Sequence, residues 1–204
     1  MKALVIDLNK CKGCHSCQEA CKEEHAGNDR FPHAKPQPEK GHFWHKVVAL
    51  ENTSAAEGHA RYMHTLCQHC DESPCIRACP HGAIYKRDDG MVIIDPNACC
   101  GSKACIDACP YAAIYFNYDL NISQKCTMCA HRLSRGLEKP RCVEVCPTGA
   151  LTFGEEWQLK ELVAKSEVLN PEYRPRVHYI GLSKSVGAQP KVRPRGRTRV
   201  LAGV

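Results

Sequence analysis

This 204-residue sequence has no apolar run approaching the roughly 18 residues that a membrane-crossing helix needs. Its longest apolar runs, such as Val47 to Leu50 and Met91 to Ile94, are short. A direct membrane span is therefore not expected. The opening, MKALVIDLNKCKGC, lacks the basic segment followed by an apolar one that marks export. A cytoplasmic location is expected, or a periplasmic one if a signal-bearing partner carries the chain across. No phosphate-cradling glycine loop, nucleophile–base motif or paired-carboxylate signature stands out. No catalytic residue is assigned, and the chain is not expected to be an enzyme on its own. Acidic residues are missing from one end: Lys184, Lys191, Arg193, Arg195, Arg197 and Arg199 occur after position 183 with no acid among them. Setting these six aside from the 28 basic residues leaves 22 against 22 acidic ones, so the positive charge belongs to the end segment.

Cysteine, by contrast, is abundant at sixteen residues. Disulfide-dense proteins are mostly short and secreted, and adjacent or C-x2-C cysteines are poor geometry for independent bridges. Metal ligation is the better explanation. The cysteines fall into four groups of four. Group one is Cys11, Cys14, Cys17 and Cys21. Group two is Cys67, Cys70, Cys75 and Cys79, followed by Pro80. Group three is Cys99, Cys100, Cys105 and Cys109, followed by Pro110. Group four is Cys126, Cys129, Cys142 and Cys146, followed by Pro147.

The flanks repeat too, as PHGAIY, PYAAIY and PTGALT. The x3 spacing predicts one helical turn carrying two cysteines on a face, and the proline with small residues predicts a turn into a short strand. C-x2-C-x2-C-x3-C-P is the outline of bacterial ferredoxin modules, in which the fourth cysteine reaches the other cluster of a pair. Four such motifs imply two double-cluster units and four clusters. A zinc site also uses C-x2-C pairs but does not call for this repeat. The eleven histidines, His15 and His69 among them, are expected to be solvated or to stand beside ligands. Lys12, Lys103 and Lys125 lie in or beside the motifs and could raise cluster potentials electrostatically, but as isolated lysines they are expected to be solvated.

From about Leu4 to Gly154 the chain resembles the four-cluster electron-transfer subunits of molybdenum- or tungsten-pterin oxidoreductases. Among these are the small subunits of dimethyl sulfoxide, polysulfide and nitrate reductases and of formate dehydrogenase. The likeness rests on the four groups in order, the x12 gap in group four, CPHGAIYKRDDGMVIIDPNAC and QKCTMCAHRL. It implies an α+β fold of two ferredoxin-like units with little regular secondary structure and an extended C-terminal tail. Unit one is expected over 1–65 and 120–168, with a loop-and-strand insert at 22–65. Unit two is expected over 66–119, and the basic tail over 169–204.

The resemblance also implies the ligand sets. Cys11, Cys14, Cys17 and Cys146 hold one cluster, and Cys126, Cys129, Cys142 and Cys21 the next. Cys67, Cys70, Cys75 and Cys109 hold the third, and group three with Cys79 the last. The group-one cluster is nearest the pterin subunit and the group-three cluster is at the far end, toward a membrane subunit, relay or flavoprotein. Single electrons would pass along this chain.

Group three is irregular, because Ser102 stands where the second ligand of the regular spacing would be. A [3Fe–4S] cluster, a serine alkoxide and Cys100 are the three possibilities. Cys100-x4-Cys105-x3-Cys109 copies the spacing of Cys70-x4-Cys75-x3-Cys79, so Cys100 is favoured, giving four [4Fe–4S] clusters. A free, diffusible polyferredoxin is the rival function, and nucleic-acid binding is not expected.

His42 to Glu51 reads as a strand, Trp44 as packing, and Trp157 to Val168 as a helix capping unit one. The tail is read as a clamp across an acidic partner surface.

Overall fold

A computed structural model describes residues 1–50 and 61–182. The chain begins with β1 (Lys2–Asp7), followed by α1 (Ser16–His25), which carries Cys17 and Cys21. A hairpin follows, β2 (His45–Ala49) with β3 (Tyr62–Leu66). Next come α2 (Pro74–Ala78), the hairpin β4 (Ile84–Lys86) with β5 (Val92–Ile94), and α3 (Ala104–Ala108). The hairpin β6 (Tyr115–Asn117) with β7 (Ile122–Gln124) leads into α4 (Ala130–Leu133) and α5 (Arg141–Glu144). Last are β8 (Leu151–Glu155), α6 (Lys160–Val163), a 3₁₀ turn at Pro171–Tyr173 and β9 (Val177–Ile180).

The repeat takes the form expected of it. Each C-x3-C lies on or beside a helix, and the segments after groups two, three and four run into β4, β6 and β8. Cys79 and Cys109 close α2 and α3 with extended backbone, as a residue before proline must, because the proline ring clashes with a helical predecessor. The helix α1 packs on α5, and α2 packs on α3. Groups one and four are thus neighbours, as are groups two and three.

β1 is the central strand of a three-stranded sheet, antiparallel to β8 and parallel to β9. Ala3 to Ile6 are buried on both faces, which is why this strand is an unbroken apolar run. Leu4 and Ile6 join the main core, and Ala3 and Val5 meet Leu159 at the start of α6. The capping helix expected from Trp157 to Val168 is therefore present but shorter, and Trp157 itself is exposed. Trp44 is buried, with its ring 4.6 Å from that of His25. The strand expected over His42 to Glu51 spans His45–Ala49.

Part of the range read as tail belongs to the body. Val177–Ile180 pairs with Leu4–Asp7, and the nearly buried Arg176 is held by Asp71 at 2.6 and 2.8 Å and by Glu156 at 2.6 Å. The basic residues from Lys184 onward, and the clamp they were expected to form, lie outside the described residues.

Candidate metal centres

None of the sixteen cysteines is joined in a disulfide. Cys67, Cys70, Cys75 and Cys109 line one pocket, closed by Val92, Ile114 and Tyr111. Cys21, Cys126, Cys129 and Cys142 line another, with Leu4, Leu66 and Met128 as apolar walls. In the group-one region, burial raises the Cys17 thiol to about 12, and the charges acting on it are those of Cys11, Cys146 and Cys14. Cys105 is raised first by burial, with Cys99 and Cys79 as its cysteine neighbours.

These thiols are not set up as free nucleophiles. Burial, then mutual repulsion, raises Cys70 and Cys75 to about 12, and burial foremost raises Cys126 to about 11 and Cys129 to about 12. Cys21 and Cys142 are pushed up further by the same causes. Reactive cysteines show the opposite shift. Clustered, buried thiols in apolar pockets fit a metal that takes their protons' place as it binds. Iron and sulfide suit this donor set, which is all sulfur.

Local backbone aims the sulfurs. The residue before the second cysteine is left-handed in group one (Gly13, φ 66°), group two (His69, 46°) and group four (Met128, 51°). This bends the loop so that N–H groups turn toward sulfur. His69 N–H lies 3.5 Å from Cys67 Sγ and Met128 N–H 3.4 Å from Cys126 Sγ. Group three has Gly101 at φ 74° in the same place, which makes Ser102 the counterpart of Cys14. Cys100 then corresponds to Lys12. Cys79 and Cys99 are brought together with Cys105.

One expectation about neighbouring residues needs revision. Lys12 and Lys103 are exposed, but Lys125 is 2% exposed. It was expected in solvent because charged side chains are rarely buried. Its place directly after β7 and before Cys126 carries it inward instead. Two histidines take the second of the two places expected of them, beside the cysteines: His64 Nε2 is 3.2 Å from Cys11 Sγ, and His25 Nε2 is 3.9 Å from Cys129 Sγ. His64 lies on β3 three residues before Cys67, and that nearness was the only sequence signal available. Arg132 and Arg141, in the loop within group four, are ion-paired with Glu144, and Arg132 also with Glu24.

Among the described residues no helix is long and apolar enough to cross a membrane. The 4Fe-4S dicluster domain family matches residues 59–156, and the 4Fe-4S binding domain family matches residues 2–23. The pyrogallol hydroxytransferase small subunit of Pelobacter acidigallici is 37% identical over 190 residues, covering 88% of this chain and 68% of that protein. A sulfite dehydrogenase subunit of Allochromatium vinosum is 39% identical, covering 75% and 68%. One component of the anaerobic dimethyl sulfoxide reductase of Escherichia coli is 32% identical, covering 95% and 91%. A benzoyl coenzyme A reductase BamBC structure overlaps at a TM-score of 0.34 and 20% identity, too loosely to inform the fold. With its ferredoxin-like cysteine repeat and these relatives, the chain belongs to the iron–sulfur electron-transfer subunits of dimethyl sulfoxide reductase, thiosulfate reductase and sulfite dehydrogenase type complexes.

Proposed function

We propose that the chain relays single electrons through four iron–sulfur clusters, between a molybdenum- or tungsten-pterin catalytic subunit and a second redox partner. The ligand sets are Cys11, Cys14, Cys17 and Cys146; Cys21, Cys126, Cys129 and Cys142; Cys67, Cys70, Cys75 and Cys109; and Cys79, Cys99 and Cys105 with a fourth position. Unit one combines 1–65 with 120–168, and unit two is 66–119. The observation that carries this reading is that two separate pockets are each lined by four cysteines drawn from two groups. Three come from one motif and the fourth from its partner, as ligand exchange between paired motifs requires.

A bound cluster would take up and release one electron at a time. The chain's own residues hold it through thiolate sulfur, keep water out with walls such as Val92 and Ile114, and direct N–H groups at the ligands. Such walls and donors set the potential at each site.

At the fourth set, spacing supports Cys100 as the last ligand and four [4Fe–4S] clusters. The backbone supports a second reading, a [3Fe–4S] cluster on Cys79, Cys99 and Cys105, because Ser102 takes the place of Cys14 and Cys100 that of Lys12. The left-handed Gly101 and Lys103, which match Gly13 and His15, are what favours this second reading.

The test is anaerobic isolation of the native complex, with iron, acid-labile sulfide and co-purifying subunits measured. A pterin-containing subunit and iron for four clusters are expected. A colourless zinc protein, or one with little sulfide, overturns the reading. A loaded chain that migrates alone favours the diffusible polyferredoxin. An electron paramagnetic resonance (EPR) signal in the oxidised sample marks the three-iron cluster.

A further inference from the structure

Lys125 is among the largest fully buried side chains of the protein. Its ammonium donates to two backbone carbonyls, those of Val92 and of Cys126, the latter at 3.2 Å. Among the described residues no carboxylate lies within ion-pair distance of it. Burying a cation without an anion costs several kcal/mol, and two carbonyl dipoles do not supply a counter-charge.

The anions that could supply it come from both sides. Val92 lines the pocket of Cys67, Cys70, Cys75 and Cys109. Cys126 lines the pocket of the other inner set. The lysine's charge acts on Cys75 and Cys109 of one set and on Cys126 of the other. The sets are themselves adjacent across this wall, since Cys67 acts on Cys126. Lys125 therefore stands where unit one meets unit two.

We propose that Lys125 is a counter-cation shared by the two inner cysteine sets, raising the reduction potential of both clusters held there. This rests on the four-cluster reading above. A cluster with thiolate ligands gains one more negative charge on reduction, so a fixed buried cation stabilises the reduced form more than the oxidised form. The effect is strong at short range in a dry wall and fades with distance. Lys12 and Lys103 cannot act in this way, being exposed and screened by water.

The experiment is an EPR-monitored reduction of the complex carrying Lys125→Met, Lys125→Gln or Lys125→Arg, with Lys103→Met as control and iron and sulfide measured on every sample. In the neutral variants, two of the four midpoints are expected to fall. Each falls by at least tenfold in the reduction equilibrium constant, about 59 mV for one electron. The other two are expected to move by less than about threefold, and Lys125→Arg to stay near wild type. Failure of both neutral variants to load the inner clusters, with Lys125→Arg loading fully, also supports a required charge. Unmoved potentials, an equal fall in all four, or loss of clusters in Lys125→Arg as well overturns it. Wild-type protein without iron overturns the cluster reading and this inference together. Loaded protein with unmoved potentials removes only the role of Lys125.

Discussion

Residues 11–17 and 99–105 turn through one backbone path with different chemistry on it. Both place cysteines at the first and seventh positions, a glycine at positive φ third, and a left-handed residue (His15 or Lys103) fifth, before α1 or α3 begins. The shared path therefore aims the fourth side chain identically, and that side chain is Cys14 in one loop and Ser102 in the other. The next difference matters as well. The Ser16 hydroxyl, and then its N–H, lower the Cys14 thiol, whereas the matching residue in group three is Ala104, which has no hydroxyl. A serine hydroxyl already holds its proton far more tightly than a thiol, and at Ser102 that particular help is missing. The comparison teaches that two loops can share a backbone path while carrying different side-chain chemistry at one position, a thiol at Cys14 and a hydroxyl at Ser102.

The largest effect comes from exchanging that position. Ser102→Cys should raise iron by about one atom per chain and abolish the oxidised-state EPR signal, by completing a four-thiolate site. Cys14→Ser should do the reverse in the group-one set, losing about one iron. Cys100→Ser should leave the iron content unchanged. Loss of iron from Cys100→Ser would instead break the equivalence of the loops and return the fourth ligand to Cys100.

A smaller effect tests the shared path itself. An added Cβ on Gly101 would lie 2.8 Å from the backbone carbonyl of Asn121, and on Gly13 it would lie 2.2 Å from the Tyr62 ring. Both glycines sit at positive φ, so alanine adds backbone strain of about 1 kcal/mol as well. Gly101→Ala should cost about 2 kcal/mol in denaturant unfolding of the loaded protein, and truncating the Asn121 side chain should not recover it, because the obstacle is main chain. Gly13→Ala should recover part of its loss in a Tyr62→Ala background, where the ring is gone. If the double variants behave alike, the two loops are not held in place by different neighbours.

These loops also mark how far the sequence could be read. The four groups and the helix-then-strand flank were legible, because a C-x3-C-P spacing constrains the chain over a few residues only. The choice at group three was less so. Cys100-x4-Cys105 matches group two in letters, while the φ values of Gly101 and Lys103 follow group one. Spacing counts residues and does not report which way a loop turns. The burial of Lys125 and the contact of His64 were not legible for another reason: they depend on packing between segments far apart, such as β3 against the Cys11 loop. Val177–Ile180 was read into the tail because its partner, β1, lies at the other end of the chain.

The smallest effect lies in what touches the first cysteine of each loop. Cys99 Sγ meets the backbone N–H of Ser123 at 3.4 Å, a donor that side-chain substitution cannot remove. Cys11 Sγ meets His64 Nε2 at 3.2 Å, and His64 Nδ1 is 2.8 Å from His45 Nε2. Burial first, then a neighbouring histidine in each case, lowers His45 to about 3 and His64 to about 4, so both rings are neutral near pH 7. With Cys11 as a cluster ligand, as proposed, its thiolate would only accept, which would put the proton on His64 Nε2. His64 Nδ1 is then the acceptor, and His45 Nε2–H donates to it. Removing the donor with His64→Leu should lower the potential at the group-one set by about 1 kcal/mol, or roughly fivefold in its reduction equilibrium constant. His45→Leu should give a smaller fall, since it leaves the N–H in place and frees only its orientation. The group-three potential should stay where it was in both variants, because its donor is main chain. A fall at both sites would mean that packing around β3, rather than a hydrogen bond to one sulfur, sets the difference between the loops.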